Sequence, residues 1–467
     1  MHIISRTADP RALRAGGIAV GAAAGAFLVA LGGAVASGPS SPQSNVSSAV
    51  EATHVSPLLT VPGERVELAY DVYCLPATES DAEAGCEAAG AAFVRSNDDG
   101  DFQRVPLRKE PGRAEGRYVA DVPDAVARSP HGFSYYAVIE DLATGATKTL
   151  PQGGAESPHR SLPLANAADV DLGSHRFGRT RAATARVASA AWGDGPADVG
   201  LEAGRSATPI GGSSFDVGRD GTIVVLDQAR RRALRWSPGV TTPGAITLAI
   251  DGTIADLALS ERDRLFVLET AGNDDRPPAL RSFTTSGRPV DTAVIAERAY
   301  RVRASSTGAP HVLQQESGLW TRAGTADGRL DRTGGRRAAG RAGQPSTNDT
   351  EVVVLRTGTE ARVAVLGPGE SRRAWRITST TPLAEVQLAE VHGSRVVVVV
   401  RTFTDREAEF LVLVLGAQGL RERFSVPASD WAETAPISRF RLVGPSLYQL
   451  GSTPAGLFVD RFDLEVG

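Results

Sequence analysis

Residues 213–237 read Ser-Ser-Phe-Asp-Val-Gly-Arg-Asp-Gly-Thr-Ile-Val-Val-Leu-Asp-Gln-Ala-Arg-Arg-Arg-Ala-Leu-Arg-Trp-Ser. Phe215 and Val217 alternate with polar neighbours, the period of a half-buried strand. Asp220-Gly221 supplies a hairpin turn, because Gly accepts positive φ without a Cβ clash. Thr222 to Leu226 is a β-branched run suited to a strand buried on both faces. Asp227 follows, placed to accept hydrogen bonds from the next turn. Ala233, Leu234 and Trp236 make a third strand. One such unit cannot bury its own faces and needs copies beside it.

Copies follow downstream. Ala255 to Ser260, a turn at 261–263 and Arg264 to Thr270 repeat the hairpin, with Glu269 where Asp227 stood. Leu388 to Val391, Val396 to Thr402 and Phe410 to Leu415 form another set. Phe440 to Val443, Leu447 to Leu450 and Leu457 to Phe462 form the last, and weaker copies fit near 291–323 and 350–380. Cut this way, residues 166–467 hold about six units of ~40–50 residues, the size of a propeller blade.

The stretch Ser214-Phe215-Asp216-Val217, Asp220 to Asp227 and Arg232 to Trp236 resembles a blade of the NHL-repeat propellers, and Trp192-Gly193-Asp194-Gly195-Pro196 resembles the turn before one. The resemblance is carried mainly by one blade. It implies a six-bladed ring and no single activity, since such propellers serve as binding scaffolds and as hydrolases or lyases. It implies that an enzymatic member would build its site on the central channel. Gluconolactonase-like members hold a metal with carboxylates and Asn; streptogramin-lyase-like members use a histidine, a glutamate and a metal.

A ring must also close. The last readable strand, Leu457–Leu464, is the third of its blade, so a strand from the start of the region must complete it. Asp169-Val170-Asp171-Leu172, short and alternating, is expected there.

Residues 53–165 read as a separate unit. Val66, Leu68, Tyr70, Val72 and Cys74 alternate with polar or small residues. Further strands fit Ala91–Arg95, Phe102–Leu107, Tyr118–Val122, Phe133–Glu140 and Thr147–Leu150. This rhythm resembles an antiparallel sandwich of the immunoglobulin or fibronectin kind. Of the adjacent Tyr135 and Tyr136, one belongs in the core and the other outside; an aromatic binding platform is the rival reading.

The first residues carry a targeting pattern. Arg6, Arg11 and Arg14 precede an Ala/Gly-rich apolar run from Ala15 to Ala36, ending in Ala34-Val35-Ala36 before Ser37. This reads as a signal peptide over 1–36, with an uncleaved membrane anchor through 15–36 as the alternative. Residues 37–52, rich in Ser, Pro and Ala, read as a linker. The expected location is extracellular or the cell surface. The abundance of Arg, Ala and Gly beside two lysines, Lys109 and Lys148, suggests a bacterial source.

The formal charge is −4, and removing 1–36 (three Arg and Asp9) makes it −6. A mildly acidic body is a poor match for nucleic acid. Cys74 and Cys86 are the only cysteines, and in an exported chain they are expected to form one disulfide.

Catalytic signatures are absent from the sequence. There is no G-x-S-x-G, phosphate loop or C-x-x-C, and His175, His311 and His392 fall in no H-x-H or H-E-x-x-H spacing. Asn273-Asp274-Asp275 lacks the ligand alternation of a calcium loop. The recurring Asp216, Asp227 and Glu269 read as turn caps. Arg322, Arg329, Arg332, Arg336, Arg337 and Arg341, opposed by Asp327 and Asp331, read as a solvated loop, with an anion-binding arm as the alternative.

The expectation is an all-β, exported, non-enzymatic binding protein: a sandwich followed by a six-bladed propeller. No catalytic, cofactor or metal residue is assigned, and the partner is a protein, glycan or small molecule. The alternative is a metal-dependent propeller hydrolase or lyase.

Overall fold

Strands dominate the computed structural model, as the alternation requires. It describes residues 49–75, 87–97, 100–110, 116–164, 166–202, 209–250, 252–270, 278–295, 299–314, 320–331, 344–345, 350–367, 372–428, 431 and 438–464. The leader expected at 1–36 lies outside them. No described helix is long and apolar enough to cross a membrane.

Among the described residues there are eight sheets. Two belong to the first 163 residues. One joins Ala49–His54, Glu67–Leu75, Arg117–Asp121 and Arg108–Lys109 in that order. The other runs Leu59–Thr60, His159–Pro163, Phe133–Asp141, Ala88–Ser96, Gln103–Pro106, with Thr147–Leu150 also on Phe133–Asp141. Their inward faces share one core, Val50, Leu68, Tyr70 and Val72 from the first against Val94, Tyr135, Ala137 and Ile139 from the second. The expected linker therefore ends too late: Ala49–His54 is a strand, with Val50 and Ala52 buried and Glu51 and Thr53 exposed. Its small residues hid the alternation.

The other six sheets follow one another along the chain. Blade 1 is Ser214–Val217, Ile223–Asp227, Arg232–Trp236 and Gly244–Thr247; blade 2 is Thr253–Ser260, Arg264–Thr270, Ala279–Thr284 and Pro289–Val294. Blade 3 is Ala299–Ala304, Pro310–Gln314 and Trp320–Arg322. Blade 4 holds Gln344–Pro345, Glu351–Thr357, Glu360–Leu366 and Arg372–Thr378. Blade 5 is Leu383–His392, Arg395–Phe403, Ala408–Gly416 and Gly419–Pro427; blade 6 is Phe440–Val443, Ser446–Thr453 and Gly456–Asp463. Ile223–Asp227 is buried along its whole length, as its β-branched run predicts, and Gly221 sits in the turn at φ 84°. First strands touch between blades 1 and 2, 2 and 3, 5 and 6, and 6 and 1, and Glu351–Thr357 of blade 4 touches the first strand of blade 5, so these strands lie innermost. Apolar seams join blade 6 to 1, 1 to 2, and 2 to 3. Others join blade 4 to 5 and 5 to 6. This is the architecture of a β-propeller.

Closure differs from expectation. The strand completing blade 6 is Ala185–Ala191, antiparallel to Gly456–Asp463. Ala168–Asp171 instead runs parallel to Arg372–Thr378 and completes blade 4, with Val170 opposite Ile377. The run Ala-Arg-Val-Ala-Ser-Ala-Ala has too little apolar bulk to read as a strand. Its partner strand meets it closely: at Gly456 a Cβ would come within 2.1 Å of the Ala190 carbonyl oxygen.

Between these two strands the chain crosses blade 5. Arg181 N–H donates to Ser425 O at 2.7 Å, and the Arg423 guanidinium donates to Leu172 O at 2.7 Å. Residues 168–191 therefore strap three consecutive blades together. The first sheets dock on blade 4 through Leu59 and Leu164 against Val353, Leu355, Ala364 and Leu366.

Candidate functional site

The innermost strands carry charges where a buried strand would normally carry none. Asp216, Asp256, Arg303, Glu390 and Arg441 come from blades 1, 2, 3, 5 and 6 and meet near the axis. Burying a charge is tolerated only when it is paired and hydrogen-bonded. Asp256, fully buried, accepts from the hydroxyls of Ser214 and Ser438 at one oxygen and from Val302 N–H at the other, 2.8 Å away. Asp216 accepts from Val217 N–H and Arg441 Nε, each at 2.9 Å, and from Leu259 N–H at 2.8 Å. Arg441 also donates to the carbonyls of Phe440 and Leu257, at 3.2 and 3.4 Å. Arg303 reaches across to Glu390 at 3.5 Å. Burial, and then the charge of Arg441, lower the Arg303 pKa to about 10 against the pull of Glu390, Asp216 and Asp256.

Above this floor opens a cleft of about 720 Å³, within the range of ligand pockets, roughly 300–1,000 Å³. Its wall is made of the turns that leave the first strands of five blades: Gly218–Gly221, Glu261, Ser305–Ser306, His392–Gly393 and Val443–Pro445. Arg219 pairs with Glu261 at the rim, while Leu259, Leu442 and Tyr448 contribute apolar surface. The long connections 192–213 and 428–439 start and finish at the opposite ends of the strands.

Of the residues singled out from sequence, Asp216 and His392 line this cleft. The others lie elsewhere. Asp227 does not cap the following turn: it accepts from Gly200 N–H at 3.1 Å and from Arg232 Nε at 2.8 Å. Glu269 repeats this clamp one blade on, with Gly252 N–H and Arg281 Nε both at 2.6 Å. The His175 side chain is buried in the strap, 2.7 Å from Glu409, whose other oxygen takes Gly178 N–H. His311 sits beside Ala309 O, and burial lowers its pKa. Tyr135 is in the core, and Tyr136 is half-buried on the outer face against Phe93. Cys74 is disulfide-bonded; Cys86, Asn273-Asp274-Asp275 and Arg332, Arg336, Arg337 and Arg341 lie outside the described residues. Among the described residues no three His, Cys, Asp or Glu are placed to hold a metal together.

Sequence reasoning missed Arg303, Glu390 and Arg441. Their signal was present: a charge flanked by apolar residues, as in Phe440-Arg441-Leu442-Val443. A buried strand admits such a residue only if a partner waits for it.

No family model matches the chain, and no curated protein does. Among solved structures it is similar to virginiamycin B lyase from Staphylococcus aureus, at 9% identity and TM-score 0.35, covering 54% of this chain and 95% of that one. It is also similar to a luciferin-regenerating enzyme, at 12% identity and TM-score 0.34, covering 55% and 92%. A PQQ-bound aldose sugar dehydrogenase from Streptomyces coelicolor matches at 12% identity and TM-score 0.34, covering 57% and 99%. Likenesses this distant say nothing of activity or ligand, and the blade count rests on the sheet topology alone.

Proposed function

We propose that this chain is an exported binding protein, with an N-terminal signal or anchor over 1–36, an immunoglobulin-like sandwich and an NHL-like propeller whose cleft takes a ligand. The observation that carries this reading is the state of the axial carboxylates. Both oxygens of Asp216 and of Asp256 already accept hydrogen bonds from the protein. These carboxylates are committed first to donors from the neighbouring blades, and they hold those blades together under an open, mixed-polarity cleft, as a binding scaffold requires. The Cys74–Cys86 bridge belongs to the same proposal, since export favours it.

The test is metal analysis of the purified protein together with a ligand screen read by thermal shift. Saturable ligands whose binding is weakened by Tyr448→Ala, with no stoichiometric metal, are expected. A bound metal released by Asp216→Asn or Asp256→Asn, with loss of hydrolytic or lyase turnover, would instead establish the enzyme.

A further inference from the structure

We propose that the cleft receives the carboxylate, or an equivalent anion, of a small ligand with an apolar body, and that Arg303 binds it. This rests on reading the cleft as the binding site and goes on to name the ligand's chemistry.

The charged groups on the wall differ in how fully they are engaged. Arg219 and Glu261 hold each other at the rim. Arg441 directs Nε at Asp216 and its other nitrogens at two backbone carbonyls. Both oxygens of Asp216 are filled. Arg303 is 7% exposed, lines the cleft and meets Glu390 at 3.5 Å. That separation exceeds the ~2.7–2.9 Å of a charge-assisted hydrogen bond. The guanidinium fork is built for a bidentate carboxylate contact, and this one has yet to make it.

Burial disfavours the charge of Arg303 and Arg441 repels it, while Glu390, Asp216 and Asp256 pull the other way. Asp216 and Asp256 are spent on other donors, so an anion seated on Arg303 offsets the first two effects. A cation drawn by these carboxylates would have to compete for Glu390 with Arg303 and for Asp216 with Arg441. The rest of the wall is apolar in patches: Val217, Leu259, Leu442, Val443, Pro445 and Tyr448. These suit a hydrocarbon or aromatic body, while the charged floor suits one anionic end.

Calorimetry on the whole protein at low salt tests this with three probes sharing one body: octanoate, octanamide and octylammonium. Octanoate should bind about tenfold or more tighter than octanamide, the advantage of a charged partner at a desolvated guanidinium. Arg303→Gln should erase that advantage, bringing octanoate to the level of octanamide, and Arg303→Lys should keep part of it. The comparison among probes on the unaltered protein stands even if a variant does not fold. An amide that binds as well as the acid, or a preferred ammonium, overturns the anion assignment but leaves the cleft a binding site. Equal preference for octanoate in Arg303→Gln removes Arg303 from the role. If none of the three binds, the inference falls, and the wider screen at Tyr448 decides separately whether the cleft binds anything.

Discussion

Arg362 of blade 4 grips Glu64 of the N-terminal sheets with two nitrogens, Nη1 on Oε1 at 2.5 Å and Nη2 on Oε2 at 2.7 Å. The same guanidinium donates to Leu59 O at 2.9 Å and to Glu360 through Nε at 2.5 Å. Both partners are mostly shielded, so the pair is worth more than an exposed one. Arg362→Ala should cost about 2 kcal/mol, most of it from stranding Glu64. Differential scanning calorimetry with limited proteolysis near 164–167 would read this as earlier unfolding and faster cleavage. Unchanged proteolysis would mean that the apolar contacts alone hold the junction.

Asp256 of blade 2 joins blade 1, blade 3 and the lead-in to blade 6 through Ser214, Val302 and Ser438. Asp256→Ala leaves two hydroxyls and one N–H without their acceptor in a dry core. The expected loss is about 3–5 kcal/mol by chemical denaturation. A loss below about 1 kcal/mol would mean that water or a rearranged serine replaces the carboxylate.

A second prediction about charge concerns pH. Ala69 O can only accept, so His54 Nδ1 carries the hydrogen and donates to it at 2.7 Å. His54 Nε2 then accepts from the Tyr135 hydroxyl at 2.7 Å, and Tyr135 accepts from Ser56 at 2.6 Å. Burial lowers the His54 pKa from 6.5 to about 4. In the unfolded chain the ring takes its proton near pH 6.5, while the folded ring resists until about pH 4. Stability is therefore complete above pH 6.5 and falls as pH drops toward 4, by up to roughly 3 kcal/mol from this group. Urea midpoints measured across pH 7 to 4 should show that slope, and His54→Gln should flatten it; an equal slope in the variant would transfer the effect to another group.

The closing seam gives a further test. Ala188 pairs with Val459 and packs with Leu457 and Phe215. Ala188→Glu drives a carboxylate into that seam and should cost about 3 kcal/mol or more, with aggregation through the opened edge of blade 6. Size-exclusion chromatography and melting temperature would show it. A monomeric, fully stable variant would mean that Ala185–Ala191 is dispensable.

The blade rhythm was legible because Asp220-Gly221, the Ile223–Asp227 run and Trp236 each state a local rule. Outer strands were not. Gly244–Thr247 and Pro289–Val294 are mostly exposed and lack a strict alternation. Ala185–Ala191 is nearly all small. The axial charges were hidden for another reason: Asp216 reads locally as one polar position in an alternating strand, and its partner Arg441 lies 225 residues away. Turn chemistry is written within a few residues; a buried ion pair is written across the whole chain. Asp227 shows the same effect over a shorter span, since its carboxylate is used by Gly200, 27 residues earlier, rather than by its own turn.

The strap at 168–191 also sets an order of events. Arg186 and Asp460, which meet across the seam, are 274 residues apart. The strand that finishes blade 4 and the strand that finishes blade 6 are both made before either blade exists. Each must wait, unpaired, while the intervening chain is laid down. Blades 1 and 2, whose strands follow one another in sequence, can assemble as they emerge, but the circle becomes whole only when its final strand arrives. Until then the early segment is a partner in search of an edge, and the late blades are edges in search of a partner.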